Sequence, residues 1–408
     1  MKKRFDIATV FALMLLVGIT TWLFTFMAAK NQFESQLSTD SQIRNELNIF
    51  LQAKKIIEDY YVGDWSERHM QEGAVAGMVY SLGDRWSHYL TEEEYNIYMN
   101  RDQITGIGIS VVPHDDGLLV NEVYQDSPAA ECGIEPFDII TAIDGRAYAD
   151  IESFHAAADL IRGQSGESVT LTLHRDGRGA FTATMMRRVV PIDNIRASVL
   201  DGNIGSVRIR NFNKGAFADF NEALNNLIEV GVAGLIIDVR NNPGGELDTM
   251  CDMLDLLLPE GEIIIVRDKA GIEHPYMSDA QYIDLPIVVL CNENSFSAAE
   301  FFAAALQEYG RAFVVGEQTL GKSYAQHTYL LDDNSALILS IDEYLTPIKK
   351  LKLSDTNGLA PDRTVALDPS LTYMLPLADD EQDTQLQAGL AELHRRIPQT
   401  PSEPEEED

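Results

Sequence analysis

The run Asn294-Ser295-Phe296-Ser297-Ala298-Ala299-Glu300 puts a serine at the mouth of a helix-like stretch of Phe and Ala. Lys322 follows 25 residues later within Gly321-Lys322-Ser323-Tyr324-Ala325-Gln326, and Gln326 lies four positions beyond it. A hydroxyl is a weak nucleophile and needs a base within hydrogen-bond reach. Lysine can be that base only as the neutral amine, which is roughly one molecule in a few thousand at an unperturbed pKa. Burial disfavours the ammonium and raises that fraction. Leu320, Tyr324 and Ala325, with no Asp or Glu adjacent, allow such a pocket around Lys322. Gln326 could orient the amine without restoring its charge. Upstream, Arg240-Asn241-Asn242-Pro243-Gly244-Gly245 is a Gly-rich loop whose N–H groups could face a developing oxyanion. Each piece also has a plain reading, the serine as an N-cap and the Gly-Lys as a surface turn. Order and spacing together favour an enzyme. His327 offers a Ser–His pair instead, but on a strand it would face away from Gln326.

These residues need a scaffold, and the chain from Pro191 to about Asp368 supplies strand–helix alternation. Ile204–Ile209, Gly234–Val239, Ile287–Leu290 and Phe313–Gly316 read as strands. Ala216–Val230, Gly245–Leu258 and Ser297–Glu308 read as helices, and a last amphipathic helix carries Leu386, Leu390 and Leu393. Alternation of this kind predicts an α/β domain whose strands feed helices at the site. Between Thr105 and about Arg188 the character changes to short strands with turns at Asp116-Gly117, Asp144-Gly145 and Asp176-Gly177, plus a helix from about Glu152 to Arg162, which predicts a small β-rich domain. Residues from Ser41 to Met99 read as helical, broken at Gly83-Asp84 and restarted with Thr91 as cap. Nothing in that segment looks chemical; it suits a linker or the dimerisation arm of a homo-oligomer.

Net charge is −33 over 408 residues, which argues against nucleic acid and against broad adhesion to anionic lipid. Cys132, Cys251 and Cys291 are too few and too scattered for a disulfide framework. The eight histidines show no metal-binding spacing, so neither a metal nor another cofactor is expected. The N-terminus is different. After Met1-Lys2-Lys3-Arg4, residues 7–29 form an uncharged apolar run, about 34 Å long as a helix and enough to span a membrane. Met27-Ala28-Ala29 is a poor match to a cleavage site. The expectation is an uncleaved signal-anchor with its basic end cytoplasmic and the catalytic part on the extracytoplasmic side. The tail Pro401–Asp408 has the composition of a disordered segment.

The β-rich segment resembles a PDZ domain of the bacterial, protease-associated kind. Gly106-Ile107-Gly108-Ile109, Ser127-Pro128-Ala129, Gly133-Ile134, Asp138-Ile139-Ile140, Ile143-Asp144-Gly145 and Leu160-Ile161-Arg162-Gly163 carry the resemblance. It implies that Gly106, Ile107, Gly108 and Ile109 bind a peptide C-terminus, with the following strand pairing by β-augmentation. Pro136-Phe137-Asp138 departs from the pattern, which has a Gly before the Asp.

Ser297 to Gln326, with Asp238–Gly245, Tyr344-Leu345-Thr346-Pro347 and Gly358-Leu359-Ala360-Pro361-Asp362, is similar to the C-terminal processing (tail-specific) serine peptidases. The resemblance spans about residues 45–368. It implies Ser297 as nucleophile, Lys322 as general base and Gln326 as the residue positioning it. The N–H groups of Ala298 and of Gly244 or Gly245 would form the oxyanion hole. Ala299, Leu320 and Ser323 depart from the family's usual Ser, Phe and Gly. The implied architecture is a membrane anchor at 1–30, a helical segment at 31–100, a PDZ domain at 101–190, a peptidase core at 191–370 and a C-terminal helix with an acidic tail at 371–408. The implied substrates are proteins with accessible C-termini, and ligand binding is expected to reposition the PDZ domain, with Arg162 as a contact. A non-catalytic PDZ scaffold that binds tails without cutting them is the alternative.

Overall fold

The structure is a computed structural model and describes Met27 and residues 47–99, 103–191, 193–377 and 380–398. The apolar run at 7–29, Met27 apart, and the tail at 401–408 lie outside these residues. Among the described residues no helix is long and apolar enough to cross a membrane. The chain divides into two compact units, Met1–Ala74 and Val75–Asp408. In the first, helix 47–60 leaves Ile49, Phe50, Leu51 and Ile56 exposed, and Lys54 pairs with Glu67 at 2.5 Å.

Within the second unit, the β-rich segment forms an antiparallel sheet in the order Ile109–His114, Gly117–Val123, Ile139–Ile143, Ser168–Arg175, Gly179–Met186. Strict alternation drives it: Val169, Leu171 and Leu173 are fully buried while their neighbours are not. Helix Phe154–Ile161, capped by Ser153 accepting from the Ala156 N–H, closes this core with Ala157 and Ile161. The departure at Pro136-Phe137-Asp138 leaves the turn intact. Phe137 takes φ +73° and stays exposed, adopting the left-handed backbone that a glycine would take without cost. Strands Gln103–Gly106 and Arg188–Pro191 pair and bring the two ends of the domain together.

The core domain is built on a six-stranded sheet in the order Ile195–Leu200, Ile204–Ile209, Gly234–Asp238, Ile287–Cys291, Ala312–Gly316, Arg363–Thr364. All neighbours are parallel except the first pair. Gly234–Asp238 and Ile287–Cys291 are buried at every position, as their unbroken apolar runs predict for strands covered on both faces. Helices Ala216–Val230, Leu247–Asp255 and Ala298–Glu308 cover one face, and Thr384–Arg396 covers the other with Leu386 and Leu393.

A second sheet was not expected. It joins Ala336–Leu345 to Tyr324–Leu330 on one side and to Gly261–Arg267 and then Glu273–Ser278 on the other. The expected helical run from Ser41 to Met99 therefore needs correcting. Gly83 breaks it as predicted, and Thr91 and Glu94 form the expected reciprocal cap, but His88–Leu90 is a strand paired to Ala336–Ile338. The pairing partner lies some 250 residues away, so no local pattern announces it.

Candidate active site

In parallel sheets, chemistry gathers beyond the C-terminal ends of the strands. Gly234–Asp238 and Ile287–Cys291 both end here, one running into the Arg240–Gly245 loop and the other into the segment that carries Ser297. Asn292 locks the two together: its Oδ1 accepts from the Asn241 N–H at 2.9 Å and its Nδ2 donates to Asn241 Oδ1 at 2.8 Å. The Phe296 N–H donates to the Asn242 carbonyl at 3.0 Å. Ser295 is no competing nucleophile, because its buried hydroxyl donates to the Val239 carbonyl at 2.8 Å.

Ser297 is half-buried and sits at the N-terminus of helix Ala298–Glu308 with φ +59° and ψ −126°, a conformation L-residues rarely adopt. Strained backbone of this kind persists only where its surroundings over-determine it. Glu300 supplies that constraint. Its Oε2 accepts from the Ser297 N–H at 2.9 Å and from the Lys322 N–H at 2.8 Å. Its Oε1 accepts from the Gly321 N–H at 2.7 Å and from the Thr319 hydroxyl. One fully buried carboxylate thus ties the backbone of Ser297 to that of Lys322. Burial holds the Glu300 carboxyl above the usual carboxylate range, against the opposing pull of the four donors.

Lys322 extends from this loop, and its Nζ donates to Gln326 Oε1 at 2.5 Å. Gln326 Nε2 donates in turn to the Trp86 carbonyl at 2.5 Å. A carbonyl can only accept, so Trp86 fixes which end of the amide faces the lysine. The Trp86 indole lies 4.9 Å from Lys322 Nζ and stacks at 6.3 Å on Phe296, the residue before Ser297. Asp84 positions Trp86 by accepting from the Trp86 and Ser87 N–H groups at 3.0 and 3.1 Å. The segment in which the sequence showed no chemistry therefore contributes a wall of the site. Ser323 does not disturb the loop: its hydroxyl accepts from the Ser354 N–H at 2.9 Å. His327 is exposed beside Tyr329, outside the site.

Gly244 has φ +92°, and a Cβ there would lie 2.8 Å from Ser297 Cβ and 3.0 Å from the Ala298 nitrogen. Only glycine lets the loop approach so closely. The Gly244 N–H itself donates to Asn242 Oδ1 at 2.8 Å. The N–H groups of Ala298 and of Gly245 find no acceptor among the described residues. The loop is anchored from behind by Arg240, whose buried guanidinium holds Asp238 at 2.9 Å and Asp383 at 2.8 Å. Asp383 also caps the C-terminal helix, so that helix helps to fix the loop. Sequence reasoning missed Trp86, Asn242, Arg240 and Glu300; of these, only Glu300 left a local signal, the Ser-x-x-Glu pattern of a capping box.

Gly106, Ile107, Gly108 and Ile109 gather in the PDZ-like domain, where they line a cavity of about 220 Å³ with Tyr124, Ala158, Ile161 and Arg162. Cys132 is exposed, and burial pushes the Cys291 thiol up to about 12.

Glu300→Gln tests the tie between Ser297 and Lys322. An amide in that slot turns an NH₂ toward backbone donors, which should cost about 1–3 kcal/mol in a urea titration. It should lower kcat about tenfold or more with little change in KM. An unchanged kcat would leave Glu300 with a purely structural part.

Three comparisons bear on the whole. Residues 203–365 match the model for peptidase family S41, 105–181 the PDZ domain, and 10–94 the activating protease CtpB N-terminal domain. The carboxy-terminal processing protease CtpA of Bacillus subtilis is 32% identical over 297 residues, covering 72% of this chain and 63% of its own length. The carboxyl-terminal-processing protease of Synechocystis is 32% identical over 308 residues, covering 72% of this chain and 70% of its own. Among solved structures, a photosystem II D1 C-terminal processing protease superposes with a TM-score of 0.50 at 26% identity, covering 81% of this chain and 92% of that one. The chain belongs to peptidase family S41, the carboxy-terminal processing serine peptidases, and carries the family's PDZ domain.

Proposed function

We propose that the protein is a membrane-anchored endopeptidase that captures protein C-termini in its PDZ groove and cleaves the captured chain through a Ser297–Lys322 pair. The observation that carries this reading is the chain Trp86 carbonyl, Gln326 amide, Lys322 amine, set beside a serine whose backbone shares a carboxylate oxygen with that of the lysine. Neutral Lys322 takes the hydroxyl proton as Ser297 Oγ bonds to the scissile carbonyl carbon. The carbonyl oxygen becomes an oxyanion held by the Ala298 N–H and a second amide. Gly245 suits that second role better than Gly244, because the Gly244 N–H is already engaged by Asn242. Collapse breaks the C–N bond, Lys322 returns the proton to the leaving amine, and water then hydrolyses the acyl-enzyme with the same lysine as base. No cofactor is needed. Incubating the protein with unstructured polypeptides of varied C-termini and mapping products by mass spectrometry tests this reading. Binding without cleavage would favour the non-catalytic scaffold.

The groove has its own test, and the structure redirects it. A side chain at Gly108 would strain a φ of +78° and bring its Cβ 2.3 Å from Ser127 Cβ, so Gly108→Val damages the domain as well as the groove. Ala158→Phe instead fills the cavity from the helix side. It should weaken cleavage of apolar-tailed proteins about tenfold or more while sparing short peptides, because tethering acts through effective concentration. Equal loss on both substrates would point to misfolding, and no loss to another capture site.

The apolar run at 7–29, with its basic flank, supports a single-pass anchor and an extracytoplasmic catalytic part. Fractionation should find the protein in membranes and a variant lacking residues 1–30 in the soluble fraction. Soluble protein with its N-terminus cut near Ala29 would make the segment a signal peptide.

A further inference from the structure

We infer that the seam between the PDZ domain and the peptidase core holds a second recognition site on the captured tail, one that takes an acidic side chain at the third or fourth residue from the C-terminus. This rests on the reading of the PDZ groove given above. The groove shares Ser110, Val111 and Tyr124 as walls with a second cavity of about 340 Å³. The far side of that second cavity is the core domain, through Arg208, Arg210 and Arg240.

The charges there are unevenly matched. Arg240 is saturated by Asp238 and Asp383. Glu122, from the PDZ domain, is shared between Arg196 at 2.8 Å and Arg210. Arg208 is half-buried, and among the described residues its guanidinium has neither an ion pair nor a hydrogen bond. Two further polar atoms of the same cavity are buried without a partner, the donor Arg210 Nε and the acceptor Asn121 Oδ1. Buried polar atoms are rarely left so. An acidic side chain meets the two arginine donors, and a peptide N–H meets Asn121, so an acidic polypeptide satisfies all three groups together.

Register places the acid. Ile109–His114 is an edge strand and offers its free side to an incoming chain. With the last residue of an antiparallel peptide opposite Ile109, the third from the end lies opposite Val111 and the fourth opposite Val112. Both Val111 and Val112 line the arginine cavity. Pro113 has no N–H, so pairing ends there and the tail leaves the strand beside the core.

The test uses the full chain with Ser297→Ala, which holds peptides without consuming them. Fluorescent peptides share one apolar C-terminus and carry Asp, Asn or Lys at the third or the fourth position; a matched set has an amidated C-terminus. Anisotropy should show Asp binding about fivefold or more tighter than Asn at one of the two positions, with Lys weakest. The gap should narrow between about 0.1 and 0.5 M salt. Adding Arg208→Gln should bring the Asp peptide down to the Asn value and leave the Asn peptide unchanged. Salt dependence in the parent serves as the second measurement should that variant fail to fold. Equal Asp and Asn affinities at both positions, with amidation still abolishing binding, would overturn the acidic site and leave the groove standing. Indifference to amidation would overturn the groove and the acidic site with it.

Discussion

Ser297→Ala is expected to remove peptide hydrolysis almost completely, lowering kcat/KM by roughly 10³ to 10⁶. Without Oγ no bond can form to the scissile carbonyl, and what remains is binding and polarisation by the amides around the site. The fold should survive, because the Glu300 carboxylate holds Ser297 through its amide, and alanine keeps that amide. The unusual backbone at φ +59° is no easier for alanine than for serine, so a small drop in thermal stability is acceptable. Circular dichroism and peptide binding should match the parent. Activity near the parent level would remove Ser297 as nucleophile, and Ser295 could not replace it while its hydroxyl stays buried against Val239.

The parts of this molecule that could be read in advance are those written in local pattern. Gly234–Asp238 and Ile287–Cys291 are runs of apolar residues, and a strand covered on both faces needs nothing else. Val169, Leu171 and Leu173 alternate, which fixes the face they bury. Ser297, Lys322 and Gln326 stood out as residue types suited to a hydrolase, and the fold joins the last two by a hydrogen bond. What stayed hidden depends on distant pairing. Trp86 reaches Gln326 across 240 residues, and only the strand His88–Leu90 on Ala336–Leu345 puts it there. The choice between Gly244 and Gly245 turns on where the Asn242 side chain points, which two adjacent glycines cannot reveal. Phe137 shows the opposite case: the pattern asked for glycine, and the fold imposes the left-handed backbone on a phenylalanine.

Lys322→Arg should be nearly as damaging as Lys322→Ala, with either change lowering kcat/KM by about 10³ or more on protein and short-peptide substrates alike. The comparison separates two roles that one lysine could fill. If Lys322 served as a positive charge, arginine would keep that charge, could still donate to Gln326 Oε1 and could still lie against the Trp86 ring. Most of the activity would then survive. A general base must instead offer a lone pair, and a guanidinium does not lose its proton in a protein. Arginine would also place a permanent cation beside a serine hydroxyl that has to give up a proton. Gln326→Ala refines the result, since the amine would keep its basicity and lose its orientation; kcat should fall, though less than in Lys322→Ala. Steady-state kinetics on the three variants, with Tm as a control on folding, decides the matter. An active Lys322→Arg protein would end the proposal that this lysine accepts the proton from Ser297.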